Sequence, residues 1–194
     1  GRTDMTNAST VNFNRMSDAT PEDFDIIQAN DRLTDQELPG RILTHLRIQA
    51  DDCGAYKIDR LTHVLQTATR AEADGADDDW IVGCLLHDIG EVLPPHTHAD
   101  VAAEIIRPFV REEVTWVVRH HGLFQKIYYA NLTDEERNVR DQFKEHEYYG
   151  AAVRFCEKWD QMSFDPNYPT KPLEHFEPVV HRVFTRPPFG ATGK

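Results

Sequence analysis

The chain has 194 residues, of which 40% are hydrophobic and 28% are charged, and its formal net charge is −12. This is the composition of a globular domain, and it excludes a disordered or a collagen-like chain. The negative charge argues against nucleic acid and anionic membrane surfaces as partners, and no apolar run is long enough to span a bilayer. The expected partner is a small-molecule substrate, and the sequence does not define the oligomeric state.

Three widely spaced cysteines, Cys53, Cys84 and Cys156, form no Cys-x-x-Cys pair. They predict neither a disulfide framework nor a thiolate zinc site, and they favour a cytoplasmic location. Residues 1–24 are polar and show no targeting segment, so they are predicted to form a flexible arm, with a cloning remnant before Met5. Residues 25–190 are predicted to form one helical domain.

Apolar residues recur at helical spacing from about Asp35 onwards. A helix is predicted from Asp59 as N-cap to about Asp74, and a buried helix, apolar on nearly all sides, from Asp77 to Gly90. No alternating strand pattern is present, so the predicted class is all-α. One further helix is predicted to begin at His98 and another to end at His121-Gly122. Three more are predicted over residues 134–143, 149–160 and 174–184.

A histidine and an aspartate, His87 and Asp88, follow the apolar stretch Cys84-Leu85-Leu86. Such groups are costly to bury unless they pair with each other, form hydrogen bonds or bind metal. Taken alone, the pair is as consistent with a buried histidine capped by its neighbour as with two metal ligands.

Further histidines and a carboxylate are spread one per predicted helix, as in helix bundles that hold metals in their cores. Imidazole and carboxylate ligands without thiolate suit iron, manganese or zinc. Six ligands are too many for one open site, whereas two metals that share a bridging carboxylate would use all of them. The predicted ligands are His63, His87, Asp88, His98, His121 and Asp160, with His96 and His120 left open as alternatives to His98 and His121.

The ordered set His63, His87-Asp88 and Asp160 resembles the H…HD…D motif of the HD superfamily, over roughly residues 35–185. His98 and His121 match the two additional histidines of its dinuclear members. The resemblance implies an HD-domain helical bundle with a buried dinuclear metal site. It also implies that Asp88 bridges the metals, with the remaining ligands divided between the two positions.

Within the superfamily, the chain resembles the mixed-valent diiron oxygenases, which include myo-inositol oxygenase and the enzymes that cleave 1-hydroxyphosphonates. The resemblance rests on the six-ligand set, on residues 63–68 and on Lys158-Trp159-Asp160. It implies two iron ions as Fe(II)/Fe(III), with dioxygen as co-substrate. The implied reaction is C–P cleavage of a small 1-hydroxyphosphonate, with conversion of [1-hydroxy-2-(trimethylamino)ethyl]phosphonate to glycine betaine and phosphate as the specific hypothesis.

Two other functions remain open from the sequence. A phosphohydrolase acting on a phosphate ester or a nucleotide would use the same ligands around an attacking hydroxide. A ligand-sensing HD module without catalytic activity is the third alternative, although every ligand position of the motif is present.

Bases near the predicted ligands are candidates for binding an anionic substrate group, since phosphonate needs lysine or arginine nearby. These are Lys126, shortly after His121, and Lys158, which lies in the segment Lys158-Trp159-Asp160.

Acidic and aromatic residues near the motif favour a substrate with a cationic end. Glu91 and Glu157 stand where the oxygenases of this branch carry basic residues. Tyr128 offers an aromatic face for a quaternary ammonium group, as do its neighbours Phe124 and Tyr129. Tyr56 is a candidate gate over the metals, and the predicted catalytic residues are Asp88, Tyr56 and Lys126.

Overall fold

A computed structural model describes residues 9–190, so the first eight residues of the predicted arm lie outside the described part. Helix α1 spans Pro21–Arg47 and begins well before the predicted start near Asp35, inside the predicted arm. Thr20 and Asp23 form a capping box at its start, and Pro21 occupies the first turn, where a missing N–H costs nothing. Local capping therefore starts a helix in a polar segment.

The remaining helices follow the predicted order. Within residues 9–190 there is no strand, which confirms the all-α class, and no helix is long and apolar enough to cross a membrane. The helices are α2 (Arg60–Ala73), α3 (Asp78–Leu86), α4 (His98–Ile106), α5 (Glu112–Gln125), α6 (Asp134–Arg137), α7 (Tyr149–Arg154) and α8 (Leu173–Phe184).

Helix α3 lies at the centre of the bundle and contacts α2, α4, α5 and α8. Its residues from Ile81 to Leu86 are all buried, as the apolar pattern predicts. The α-helix ends at Leu86 rather than at Gly90, because Asp88 leaves helical geometry and a 3-10 turn follows over Ile89–Val92. This break brings Asp88 to the edge of the core.

The predicted helix over residues 149–160 changes its winding halfway. Helix α7 ends at Arg154 and continues as a π-helical turn over Phe155–Asp160, in which the Gln161 N–H donates to the Cys156 carbonyl five residues earlier at 3.0 Å. Such turns are rare and occur frequently at functional sites. The turn ends at Asp160, one of the predicted ligands.

We expect the packing of α1 on α8 to contribute strongly to stability. Leu46 is completely buried, and its replacement by alanine leaves a cavity in the core, with an expected loss of about 2–5 kcal/mol. Urea denaturation measures this loss. Leu33→Ala, on the exposed part of the same helix, serves as control with an expected change within about 0.5 kcal/mol. Equal losses for both variants would show that α1 does not pack on the core as described.

Candidate metal centre

The structure brings the six predicted ligand side chains together in the middle of the bundle. His63 lies on α2, His87 caps the end of α3, and His98 begins α4. His121 lies on α5, and Asp160 ends the π-helical turn. His63, His87, His121 and Asp160 are buried, so polar atoms converge where the surroundings are otherwise apolar.

Each of the four imidazoles is held by a backbone carbonyl through Nδ1. The acceptors are Ser163 for His63 at 2.8 Å, Cys84 for His87 at 2.6 Å, Pro95 for His98 at 2.8 Å and Val118 for His121 at 2.6 Å. A carbonyl can only accept, so Nδ1 carries the proton and Nε2 presents its lone pair to the centre. Metal-binding histidines are oriented in this way.

His63, His87 and Asp160 form the first cluster. His63 Nε2 lies 3.1 Å from Asp160 Oδ1 and 3.2 Å from His87 Nε2. His87 Nε2 lies 3.4 Å from the same carboxylate oxygen. These are the separations of ligand atoms that surround one cation, and the three residues form a group able to hold a metal.

His98 and His121 form the second cluster, and Asp88 lies between the two clusters. Its Oδ1 is 3.3 Å from Nε2 of both His98 and His121. Its Oδ2 is 3.3 Å from His63 Nε2 and 3.5 Å from His87 Nε2. One carboxylate therefore presents one oxygen to each cluster, which is the geometry of a bridging ligand.

The electrostatics of the centre fit a bound cation. Burial alone would lower the pKa of His63, but hydrogen bonds to Asp160 and Asp88 raise it to about 10. Burial would raise the pKa of Asp160, but His87 and His63 hold it below its usual range. The carboxylates thus attract positive charge between the rings, and a metal ion would take the place of those protons.

The two alternative histidines lie outside the centre. His120 stacks on Trp116, with ring centroids 4.1 Å apart, and its Nδ1 bonds to the Trp116 carbonyl at 2.7 Å. His96 is exposed on the 3-10 turn Pro95–Thr97. The structure therefore brings His98 and His121 to the cluster and not these neighbours.

A cavity of about 220 Å³ opens above the two clusters. Tyr56 lies at its edge, 60% exposed, and its ring packs on Phe164 at 4.9 Å, which in turn stacks on His63 at 4.5 Å. Tyr129 also lines the cavity, and burial together with nearby Asp160 raises its pKa to about 12, which keeps the hydroxyl protonated. The walls are thus aromatic next to the ligands.

The predicted substrate residues are divided between the cavity and its surroundings. Glu91 and the predicted gate Tyr56 are among the residues that line the cavity. Phe124 is completely buried in the core. The other predicted contacts do not line it, namely Lys126 and Tyr128 in the 3-10 turn after α5, and Glu157 and Lys158, both exposed on the π-helical turn.

Several residues that line the cavity were not predicted as site residues, among them Arg60, Gln125 and Phe164. Arg60 lies three residues before His63, and Gln125 lies four residues after His121, so each shares a helix face with a ligand. That spacing is a signal that identifies both. Phe164 follows Asp160 in a non-helical turn, where no periodicity places its ring against His63.

Comparisons with known proteins agree with this geometry. The family described as the HD domain matches residues 60–143, which include every proposed ligand except Asp160. This part of the helical bundle therefore resembles an HD domain. A relative from Leisingera caerulea, named [1-hydroxy-2-(trimethylamino)ethyl]phosphonate dioxygenase (glycine-betaine-forming), is 36% identical over 70 residues.

That match covers 30% of this chain and 36% of the relative, so the similar region is about a third of the relative's length. The chain resembles the HD-domain oxygenases, as its sequence motif predicts.

Proposed function

We propose that the chain is a diiron dioxygenase that cleaves the C–P bond of a small 1-hydroxyphosphonate, with [1-hydroxy-2-(trimethylamino)ethyl]phosphonate as substrate. The observation that carries the dinuclear centre is the position of Asp88, whose two carboxylate oxygens face different clusters, and the named relative supports an oxygenase over a hydrolase. A carboxylate shared in this way between two ligand clusters supports two metal positions. The named relative acts on the same substrate by its name.

Two metal positions follow from the clusters. His63, His87 and Asp160 would hold the first ion and His98 with His121 the second, with Asp88 shared between them. The first position has four protein donors and the second has three. Positions without a protein donor remain for substrate and dioxygen, as in other dinuclear sites.

The reaction that we propose balances without a further reductant. The substrate has a hydroxyl and a phosphonate on the same carbon, and dioxygen delivers one oxygen atom to that carbon and one to phosphorus. The C–P bond, the C–H bond of the same carbon and the O–O bond break, the hydrogen is released as a proton, and the products are glycine betaine and phosphate. Bound iron supplies the redox chemistry, while the protein supplies position and charge.

The charge of the cavity favours a substrate with a cationic end. Its lining contains four carboxylates, Asp59, Asp88, Glu91 and Asp160, against the single guanidinium of Arg60, a formal charge of −3 with neutral histidines. The metal ions would compensate the carboxylates that ligate them and bind the phosphonate. Asp59 lies beyond the metal ligands, where its charge would attract the trimethylammonium group.

Aromatic rings provide the second support for a quaternary ammonium group. Tyr56, Tyr129 and Phe164 line the same cavity, and a cation over an aromatic face is attracted by the ring electrons. Tyr56 is the most exposed of the three rings, at 60%. We propose that it covers the bound substrate and excludes bulk water from the metals.

The test is a turnover assay of iron-loaded protein with this substrate in the presence of ¹⁸O₂. We expect one labelled oxygen atom in glycine betaine and one in phosphate, and an electron paramagnetic resonance signal of a coupled Fe(II)/Fe(III) pair that changes when substrate is added. Protein loaded with manganese should be inactive. Phosphate release from a phosphate ester without dioxygen, retained with manganese, would instead establish the phosphohydrolase.

A further inference from the structure

Glu91 makes contacts that differ from those of a substrate-binding residue. Its Oε1 lies 3.0 Å from Nδ1 of His98, on the side of the ring away from the cluster. Its Oε2 pairs with Nη1 of Arg60 at 3.0 Å. Both oxygens are therefore engaged by the protein, and the carboxylate is 18% exposed.

Arg60 connects this pair to the segment at the edge of the cavity. Its Nε donates to Asp52 Oδ2 at 2.9 Å, and its backbone N–H donates to the Asp52 carbonyl at 2.9 Å. Asp52 precedes Cys53 and Tyr56, which line the cavity. A continuous chain of charged contacts thus runs from the cavity edge through Arg60 and Glu91 to His98.

His98 differs in this respect from the other three imidazoles. His63, His87 and His121 each have a backbone carbonyl at Nδ1, whereas His98 has the Pro95 carbonyl and a carboxylate as well. His98 is also the most exposed of the four, with a side chain 19% exposed. Packing alone restrains it least, so its orientation depends more on these two acceptors.

We propose that Glu91, which Arg60 holds in place, is a positioning residue for the second metal ion. This inference rests on the two metal positions of the proposed function. The carboxylate fixes the ring of His98 and makes Nε2 a stronger donor, as carboxylates behind metal-binding histidines do. The second position has only three protein donors, so it depends heavily on each of them. Glu91 therefore controls the occupancy of the second position and not of the first.

The test compares metal binding by the wild-type protein and Glu91→Gln, which keeps the size of the side chain and removes its charge. Anaerobic titration with Fe(II) gives the dissociation constants of both ions. We expect the second ion to bind about 10- to 100-fold more weakly in the variant, with the first unchanged. Glu104→Gln is the matched control, because Glu104 lies on α4 away from the centre and also pairs with arginines, Arg107 and Arg119.

Arg60→Gln tests the connection to Glu91. We expect Arg60→Gln alone to weaken binding of the second ion. Combined with Glu91→Gln, it should weaken that binding no further, because both substitutions act through the same contact. Unchanged binding of the second ion to Glu91→Gln would overturn the inference, and so would equal weakening of both ions. A wild-type protein that binds fewer than two ions would overturn the proposed function instead, so the two failures are distinct.

Discussion

Replacing Asp88 by asparagine is expected to remove both metal ions and to reduce turnover by at least about 10³-fold, the upper range for loss of one electrostatic contact. Each oxygen of Asp88 faces a different cluster, at 3.3 Å from the nearest imidazole nitrogen on either side. Asparagine has nearly the same shape, but it lacks the charge and presents an N–H₂ group to one cluster. Metal content per chain, measured by mass spectrometry, checks the prediction.

Asp100→Asn is the control for this variant. Asp100 lies on α4 two residues after His98, is 63% exposed and pairs only with Arg119 among its described ion pairs. We expect it to keep both ions and its activity. If Asp88→Asn also retained two ions, the carboxylate would not bridge the two positions.

Replacing Gly90 by alanine is expected to remove the second ion while the first is retained. A Cβ at Gly90 would lie 2.8 Å from the Cα of His98 and 3.0 Å from its carbonyl oxygen. Backbone atoms cannot rotate away, so the start of α4 must move and His98 with it. Displacement of a functional group by about 1 Å can cost about 100-fold in rate, and overpacking costs about 1–3 kcal/mol in stability.

The measurement is the ratio of the two metal ions together with the midpoint of urea unfolding. Gly40→Ala is the control, because no atom lies within 4 Å of its added Cβ and the site is inside α1. That variant should gain about 0.5–1 kcal/mol in stability and keep both ions. Full second-site occupancy in Gly90→Ala would show that the contact with His98 is not needed.

The helices around the centre are predicted from sequence because their apolar faces are continuous. Asp59 caps α2 as predicted, and Asp77, the predicted start of the next helix, caps α3, with Thr62 and Trp80 as the N–H donors. The first half of α1 is not predicted, because it buries few residues and gives little periodicity. Its signal is local, in the capping box and Pro21, and a polar composition conceals such a signal.

The choice between His120 and His121 depends on helical phase. Helix α5 continues through Gly122 to Gln125, so the two histidines are about 100° apart on its surface. Val114, Val118 and His121 share the buried stripe, so this spacing favours His121 over His120. His120 lies four residues after Trp116 and stacks on it.

The carbonyl acceptor behind His63 is not predictable from sequence, because it lies on a distant segment, whereas the other three acceptors lie three residues before their histidines. Which carbonyl reaches Nδ1 depends on how segments pack, as for Ser163 and His63, which are 100 residues apart. The chain of contacts from Asp52 to His98 also depends on the break after α3, which brings Glu91 between Arg60 and His98.

The π-helical turn before Asp160 affects how this ligand is located in related chains. A π turn takes one residue more than the α-helical turn that it replaces, and here it is the last turn of the helix. A relative with a regular helix here would present the same carboxylate one position earlier in its sequence. Alignments that forbid a one-residue gap between Phe155 and Asp160 would then pair Asp160 with the wrong residue. The last ligand of the motif should therefore be matched by its place at the end of the helix and not by its distance from His121.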